Sequence, residues 1–189
     1  MEYLEDYHQA QGQLQSPEIT SGSNVWIPPP ELVYKLNFDA AIFSELSCSG
    51  VGAMILNARD EFMATMSARD PSVFDSLKAE IIACRKALEF AIDAGFTDLV
   101  IEGDNKNVMQ LVSASREDFS RLGHVIQDIK WLAQGLRRVS FSYVKRGANS
   151  VAHSLARFAK NVVDDMYWLE DSPPPALDAL YYDSLHLDE

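Results

Sequence analysis

The spacing of apolar residues changes abruptly near residue 75 of the chain. Before that point, apolar and polar residues alternate at 34–39, which is typical of a half-buried strand. Two more apolar runs follow at 50–56 and 62–67, and the short gaps between the three runs favour an antiparallel meander. From 76 to 94, apolar residues recur every three or four positions, which predicts an amphipathic helix.

The rest of the pattern predicts two more strands and three more helices. A fully apolar segment at 99–101 and an alternating one at 139–144 indicate strands, and helical spacing indicates helices at 107–114, 122–136 and 149–158. The order β-β-β-α-β-α-α-β-α implies the α/β class. We expect a five-stranded mixed sheet, with three antiparallel strands followed by β-α-β crossovers, and helices on both faces.

The two ends of the chain differ in composition from this central region. Residues 1–30 are mostly polar or proline-rich and show no apolar period, which predicts a flexible N-terminal lead-in. Residues 171–189 contain three consecutive prolines and several acidic residues, and we interpret them as an acidic C-terminal tail. One domain is therefore expected at 31–170.

Charge and cysteine content restrict the possible functions. The formal net charge of −12 gives no general attraction to a phosphate backbone, so a nucleic-acid contact would need a local basic patch or metal ions. The two cysteines form no CxxC motif, which argues against a disulfide framework or a zinc site and favours an intracellular location, nuclear or cytoplasmic. No run of 18 apolar residues occurs, so we expect no membrane span.

Three acidic residues stand at conspicuous points of this pattern. Asp39 ends the first predicted strand, Asp104 comes straight after the buried strand at 99–101 and its Gly103, and Glu80 lies beside the apolar stripe of the first helix. Ligands of open α/β sheets gather at the carboxyl ends of strands, where these acids can meet if the first and fourth strands are neighbours. A cluster of three carboxylates needs cations, and its hard oxygen ligands suit Mg²⁺ or Mn²⁺.

Each acid also has a structural interpretation when it is considered alone. Asp39 can simply end a strand, and Asp104 can cap the following helix. Glu80 can pair with Lys78 or Arg85 on its own helix.

Seven short motifs follow one another along the chain, namely WIPPP at 26–30, KLNFDAA at 35–41, GVGA at 50–53, KAE at 78–80, IEGDN at 101–105, YVKR at 143–146 and NSVAHSLA at 149–156. In this order they resemble the type 1 ribonuclease H family, and especially the RNase H-like domain of plant retroelement-derived proteins. The resemblance covers about residues 26–170.

This resemblance implies a metal-dependent nuclease that cleaves the RNA strand of RNA–DNA hybrids. It maps the catalytic metal ligands of the family onto Asp39, Glu80 and Asp104, and the fourth ligand onto His153, where well-studied members have an acid. The family chemistry uses two metal ions, one to activate water and one to stabilise the leaving 3′-oxygen. As a nitrogen ligand, His153 would shift the preference of the site from Mg²⁺ towards Mn²⁺.

Four further residues are candidates for substrate binding. By resemblance Asn149 contacts the substrate, and the start of the last helix also makes Asn149 or Ser150 its candidate N-cap. Arg138, Lys145 and Arg146 flank the last strand and can form a modest phosphate patch. The alternative is that these cations belong to an ordinary solvated face.

Two functions remain open from the sequence. The first is a metal-dependent endoribonuclease, which the intact set of three acids favours. The second is a catalytically weak or inactive RNase H-fold scaffold that binds nucleic acid, or a protein partner through its tails. The net charge of −12, the histidine at 153 and the lack of the flexible-loop histidine of active relatives favour this alternative. We expect the enzyme.

Overall fold

The computed structural model describes residues 27–114, 121–171 and 173–174 of the chain. In these ranges the strands are β1 Tyr34–Phe43, β2 Cys48–Leu56, β3 Phe62–Pro71, β4 Asp98–Gly103, β5 Arg138–Tyr143 and β6 Met166–Leu169. The α-helices are α1 Ser76–Asp93, α2 Lys106–Ser113, α3 Gly123–Gln134 and α4 Ser150–Phe158. Most of the predicted lead-in and of the predicted acidic tail lies outside the described residues.

The six strands form one mixed sheet in the order β5-β4-β1-β2-β3-β6. β1, β2 and β3 are antiparallel neighbours, whereas β4 runs parallel to both β1 and β5. The predicted meander followed by crossovers is therefore confirmed. The sheet has six strands rather than five because β6, a strand of four residues, pairs with the outer edge of β3. So short a segment gives no readable alternation, and the sequence pattern did not indicate it.

The first strand is longer than predicted, and this changes the position of Asp39. β1 continues to Phe43 because the segment after Asp39 pairs with the first residues of β2, with Ala40 opposite Val51 and Phe43 opposite Cys48. Asp39 therefore lies inside β1 and not at its end.

Helices cover both faces of the sheet, as expected. Along β2, Ala53 and Ile55 point to the face packed against α1 and α3, whereas Met54 and Leu56 contact α4 on the other face. Every residue of β2 is buried, which is the pattern of a central strand between two helical layers. None of the helices in the described part of the chain is long and apolar enough to cross a membrane.

The helix that carries Glu80 begins and ends where the sequence indicates. Asp75 is the N-cap of α1, and its carboxylate accepts a hydrogen bond from the backbone N–H of Leu77 at 2.9 Å. Gly95 follows the helix with a φ of 87°, a left-handed conformation that favours glycine. The buried stripe of α1 packs against β1 and places Glu80 beside that strand.

Candidate active site

Asp39 and Asp104 meet because β1 and β4 are parallel neighbours. Their register pairs Asn37 with Glu102, so the positions two residues further along each strand come level at the same edge. Asp39 is 3% exposed within β1, and Asp104 lies in the turn directly after β4. The predicted meeting of these two acids at the carboxyl end of β4 is what the structure shows.

Glu80 completes the group from the helical layer. One ligand oxygen from each of Asp39, Glu80 and Asp104 lies within 4.8 Å of the others. In the described residues these three form the group that could hold a metal ion. The structure therefore brings together residues from a strand, a helix and a turn that are far apart in the chain.

Burial and neighbouring negative charges raise the pKa of two of these carboxyl groups, Glu80 and Asp104. Burial, followed by the negative charges of Asp39 and Asp104 and a hydrogen bond with Asp39, raises the pKa of Glu80 to about 9. The pKa of Asp104 is also raised, first by burial and then by Asp39, although the nearby Arg146 and His153 act to lower it. Without a cation, Glu80 therefore carries a proton at neutral pH.

This donor set fits a divalent cation. All three side chains offer hard carboxylate oxygens, which are the ligands that Mg²⁺ and Mn²⁺ prefer. A bound cation would also remove the electrostatic cost that raises the pKa of Glu80, because it would replace the proton as the compensating charge.

The acids line one side of an open cleft of about 400 Å³. The cleft is completed by residues from the start of α2 and from the end of β5, namely Asn105, Lys106, Asn107, Tyr143 and Arg146. The side-chain oxygen of Asn105 accepts hydrogen bonds from the backbone N–H groups of Asn107 and Val108, at 3.1 and 3.3 Å. This cap fixes the turn that carries Asp104 and leaves two cations, Lys106 and Arg146, at the wall of the cleft.

His153 lies next to Asp39. Its Nδ1 is 2.5 Å from Oδ2 of Asp39, and its side chain is 28% exposed. The predicted fourth ligand therefore contacts one of the carboxylates directly. Within the described residues it is not a member of the group of three whose ligand oxygens lie within 4.8 Å of one another.

Asn149 does not face the cleft. Its side chain is fully buried; Nδ2 donates to the backbone oxygen of Phe38 at 2.9 Å, and Oδ1 accepts from Nδ2 of Asn37 at 3.3 Å. It occupies the N-cap position of α4, but its side chain makes no capping hydrogen bond. In the structure this amide links α4 to β1, and the substrate contact of Asn149 stays a prediction.

The predicted phosphate patch is divided between the two ends of β5. Arg138 begins β5, and its Nε lies 2.5 Å from Oδ1 of Asp98. Arg137 also pairs with this carboxylate, and the hydrogen bonds from Arg137 and Arg138 hold the pKa of Asp98 below its usual range. Arg146 follows the other end of the strand and lines the cleft, whereas the exposed Lys145 precedes it without lining the cleft. Arg138 is therefore outside the candidate site.

A buried polar cluster beside the site was missed by the sequence analysis. Nζ of Lys35 lies 3.0 Å from Oε1 of Glu102, and Nδ2 of Asn37 donates to Oε2 of the same carboxylate at 3.2 Å. The alternation in β1 suggests that Lys35 and Asn37 face solvent, but they are 5% and 0% exposed. The segment before β1 crosses this face, where the backbone oxygen of Ile27 accepts a hydrogen bond from Lys35. The one available signal was Glu102, an acid that directly follows the apolar run 99–101.

Comparison with known proteins agrees with this architecture. Residues 37–159 match the sequence profile of the family described as reverse transcriptase-like. That range includes Asp39, Glu80, Asp104 and His153. No curated protein matches the chain.

Several solved structures share the fold. RNase H1 from the halophilic archaeon Halobacterium salinarum is 24% identical, with a TM-score of 0.62 over 68% of this chain and 97% of that one. The N-terminal RNase H domain of a Mycobacterium tuberculosis protein is 21% identical, with a TM-score of 0.58 over 68% of this chain and 93% of that one. LC11-RNase H1, isolated from compost and solved in complex with an RNA/DNA hybrid, is 16% identical, with a TM-score of 0.59 over 68% and 96%. The chain belongs to the reverse transcriptase-like family, and its fold is that of an RNase H-like domain.

Proposed function

We propose that this protein is a divalent-metal-dependent endoribonuclease that hydrolyses the RNA strand of RNA–DNA hybrids. The observation that carries the proposal is the convergence of Asp39, Glu80 and Asp104, whose ligand oxygens lie within 4.8 Å of one another. The three acids repel one another unless a cation is bound, and they lie in a cleft of an RNase H-like fold. This is the arrangement expected of such an enzyme.

In this proposal Asp39, Glu80 and Asp104 would hold the divalent cations. Cations bound there would supply charge neutralisation at the scissile phosphate and an activated water, in the two-metal chemistry that the family resemblance implies. The rigid placement of Asp39 inside β1 and of Glu80 on α1 fixes the carboxylates before substrate arrives. Hydrolysis then needs no nucleophilic side chain from the protein.

The cations of the cleft give the proposal its substrate contact. Lys106 and Arg146 lie in the wall beside the acids, where they can bind phosphates on either side of the scissile bond. These two positive charges belong to a protein whose net charge is −12. Binding of nucleic acid therefore depends on this cleft and on bound metal, and not on the electrostatic field of the whole protein. The hybrid in the LC11-RNase H1 structure is consistent with such a substrate.

One feature favours a second candidate function, a scaffold that binds nucleic acid without cleaving it. The position expected for a fourth acidic ligand holds His153, which contacts Asp39. A weaker metal site would preserve the fold and the cleft but reduce or abolish turnover. Binding of a hybrid without cleavage, in either Mg²⁺ or Mn²⁺, would support this scaffold function.

Cleavage of an end-labelled RNA–DNA hybrid in Mg²⁺ and in Mn²⁺ tests the proposal. The wild type should cut the RNA strand, and Asp39→Asn and Glu80→Gln should each reduce the rate at least about a hundredfold, because each removes charge stabilisation worth several kcal/mol. Glu89→Gln is the matched control for Glu80→Gln, since Glu89 is exposed on the same helix and outside the cleft.

Thermal unfolding with and without metal separates the possible outcomes. The proposal predicts a rise in melting temperature on adding Mn²⁺, which Asp39→Asn abolishes. A wild type that neither cuts the hybrid nor gains stability from metal would overturn it. A metal-dependent rise in melting temperature without cleavage of the hybrid would support the metal site and contradict the nuclease activity.

A further inference from the structure

We infer that His153 is a positioning residue that holds the carboxylate of Asp39, and that it is not itself a ligand of the cation. This inference rests on the proposed metal site and specifies how that site is built. It differs from the role that the family resemblance assigns to this position, which is direct coordination.

The distance between His153 and Asp39 is that of a hydrogen bond. Nδ1 and Oδ2 are 2.5 Å apart. Two neighbouring ligands of one octahedral ion, each 2.0–2.1 Å from it, would be about 3 Å apart. The shorter separation is that of a hydrogen bond, with one proton shared between the two atoms. In the Nδ1–H tautomer, which the proposal assigns to His153, Nδ1 donates to Asp39 and has no lone pair to offer a metal.

The second ring nitrogen does not replace the first as a ligand. Nε2 lies on the opposite side of the imidazole from Nδ1, so it points away from Asp39 when Nδ1 is bonded to that carboxylate. The oxygens of Asp39, Glu80 and Asp104 converge on one another. Asp39, Glu80 and Asp104 would therefore hold a cation without a ligand atom from His153, which is not a member of this group in the described residues.

The packing of α4 explains why His153 is held at this point. Asn149 and His153 are four positions apart, so they lie on the same face of the helix end. They bond to adjacent residues of β1: Asn149 to the backbone oxygen of Phe38 at 2.9 Å, and His153 to the side chain of Asp39. The two contacts fix the position of α4 along β1, and the bond from His153 orients the carboxylate of Asp39.

This arrangement gives the metal site an all-oxygen donor set. A nitrogen ligand would shift the metal preference of the site towards Mn²⁺, and an all-oxygen donor set removes that shift. Hard oxygen ligands suit Mg²⁺. Partners that hydrogen-bond a ligating carboxylate typically affect metal affinity 10–100-fold when they are removed. His153→Ala should therefore weaken Mn²⁺ binding by about that factor.

Electron spin-echo spectroscopy of the full chain loaded with one equivalent of Mn²⁺ tests the inference without any activity measurement. A directly coordinated imidazole produces a strong ¹⁴N modulation. We expect none in the wild type. A ¹⁴N coupling that is present in the wild type and lost in His153→Ala would show coordination and overturn the positioning role.

The Mn²⁺ dissociation constants of two variants give an independent test. The amide nitrogen of Asn reaches about the same place as Nδ1 of His, so His153→Asn should keep the hydrogen bond to Asp39 and bind Mn²⁺ close to wild type. His153→Ala should bind 10–100-fold more weakly. Ser154→Ala, the neighbouring and half-buried position of α4, is the control and should bind as the wild type does. Equal weakening in His153→Asn and His153→Ala would contradict the inference.

The outcomes distinguish this inference from the proposed function. Tight Mn²⁺ binding with direct nitrogen coordination would overturn the positioning role and leave the proposed nuclease intact. A wild type that binds no Mn²⁺ would overturn both.

Discussion

Gly52 of β2 and Ala152 of α4 are in direct backbone contact. A Cβ added to Gly52 would stand 2.2 Å from the backbone oxygen of Ala152, a distance that no real side chain tolerates. The absence of a side chain on Gly52 therefore sets how closely α4 approaches the sheet. Because His153 follows Ala152 in the helix, the same contact determines where the imidazole lies relative to Asp39.

Replacement of Gly52 by alanine should destabilise the protein. The obstacle is the backbone of α4, so either the helix or the strand must move, which costs about 1–3 kcal/mol as other overpacking changes do. In a chain of this length that lowers the melting temperature by roughly 2–4 °C for each kcal/mol. Circular dichroism during heating measures the change.

Gly135→Ala is the control for this substitution. A Cβ on Gly135 would lie 3.3 Å from the backbone oxygen of Leu132, a contact that needs only a small adjustment. We expect a clearly smaller shift in melting temperature. A Gly52→Ala variant as stable as Gly135→Ala would show that α4 is not held against β2 in this way.

Much of the sheet and of the acid cluster could be predicted because both depend on local patterns. The GVGA motif indicates a close backbone approach, and the contact of Gly52 with α4 confirms it. Asp104 was found because it comes soon after the apolar run at 99–101, and Glu80 because it borders an apolar stripe. These signals lie within a few residues of the positions they identify.

The features that were missed depend on which segments cover each other in three dimensions. The buried Asn37 bonds to Asn149, which is 112 positions away, and Lys35 bonds to the segment before β1. Arg138 and Arg146 are near each other in the sequence, but the extended strand β5 lies between them and places them at opposite ends. Neither the pattern of β1 nor the run of cations contains that information.

The protonation of Glu80 should make the metal-free protein less stable as the pH rises. Its pKa is raised to about 9 in the folded state from a usual value of 4.5, so between these values the folded state holds a proton that the unfolded state has lost. The free energy of unfolding therefore falls through this range, by at most about 1.4 kcal/mol per pH unit for one proton, and levels off above it. Urea unfolding in EDTA at several pH values measures the slope.

Glu80→Gln should flatten this dependence because the side chain no longer titrates. Glu89→Gln, on the exposed face of the same helix, should keep the wild-type slope. Saturating Mg²⁺ should also reduce the slope, because the cation replaces the proton as the charge that stabilises the site. An unchanged slope in Glu80→Gln would mean that another group causes the pH dependence.

Asn149→Ala should affect stability and not substrate affinity. The substitution leaves the backbone oxygen of Phe38 and the amide of Asn37 without this buried partner, which costs about 1–3 kcal/mol. The KM for a hybrid, measured below the melting temperature of the variant, should stay at the wild-type value because the side chain is buried. Asn161→Ala, at an exposed position after α4, should change stability by less than about 0.5 kcal/mol. A raised KM without a loss of stability would instead support the predicted contact between Asn149 and the substrate.

The division of the predicted phosphate patch can be tested by the salt dependence of binding. Arg146 lines the cleft, whereas Arg138 is paired with Asp98 at the other end of β5. Each lost phosphate contact reduces the slope of log K against log salt by roughly 1. Arg146→Ala should show that reduction for an RNA–DNA hybrid bound in Ca²⁺, and Arg138→Ala should keep the wild-type slope. If the slope falls equally in both variants, the substrate spans the full length of β5 and the phosphate patch is continuous.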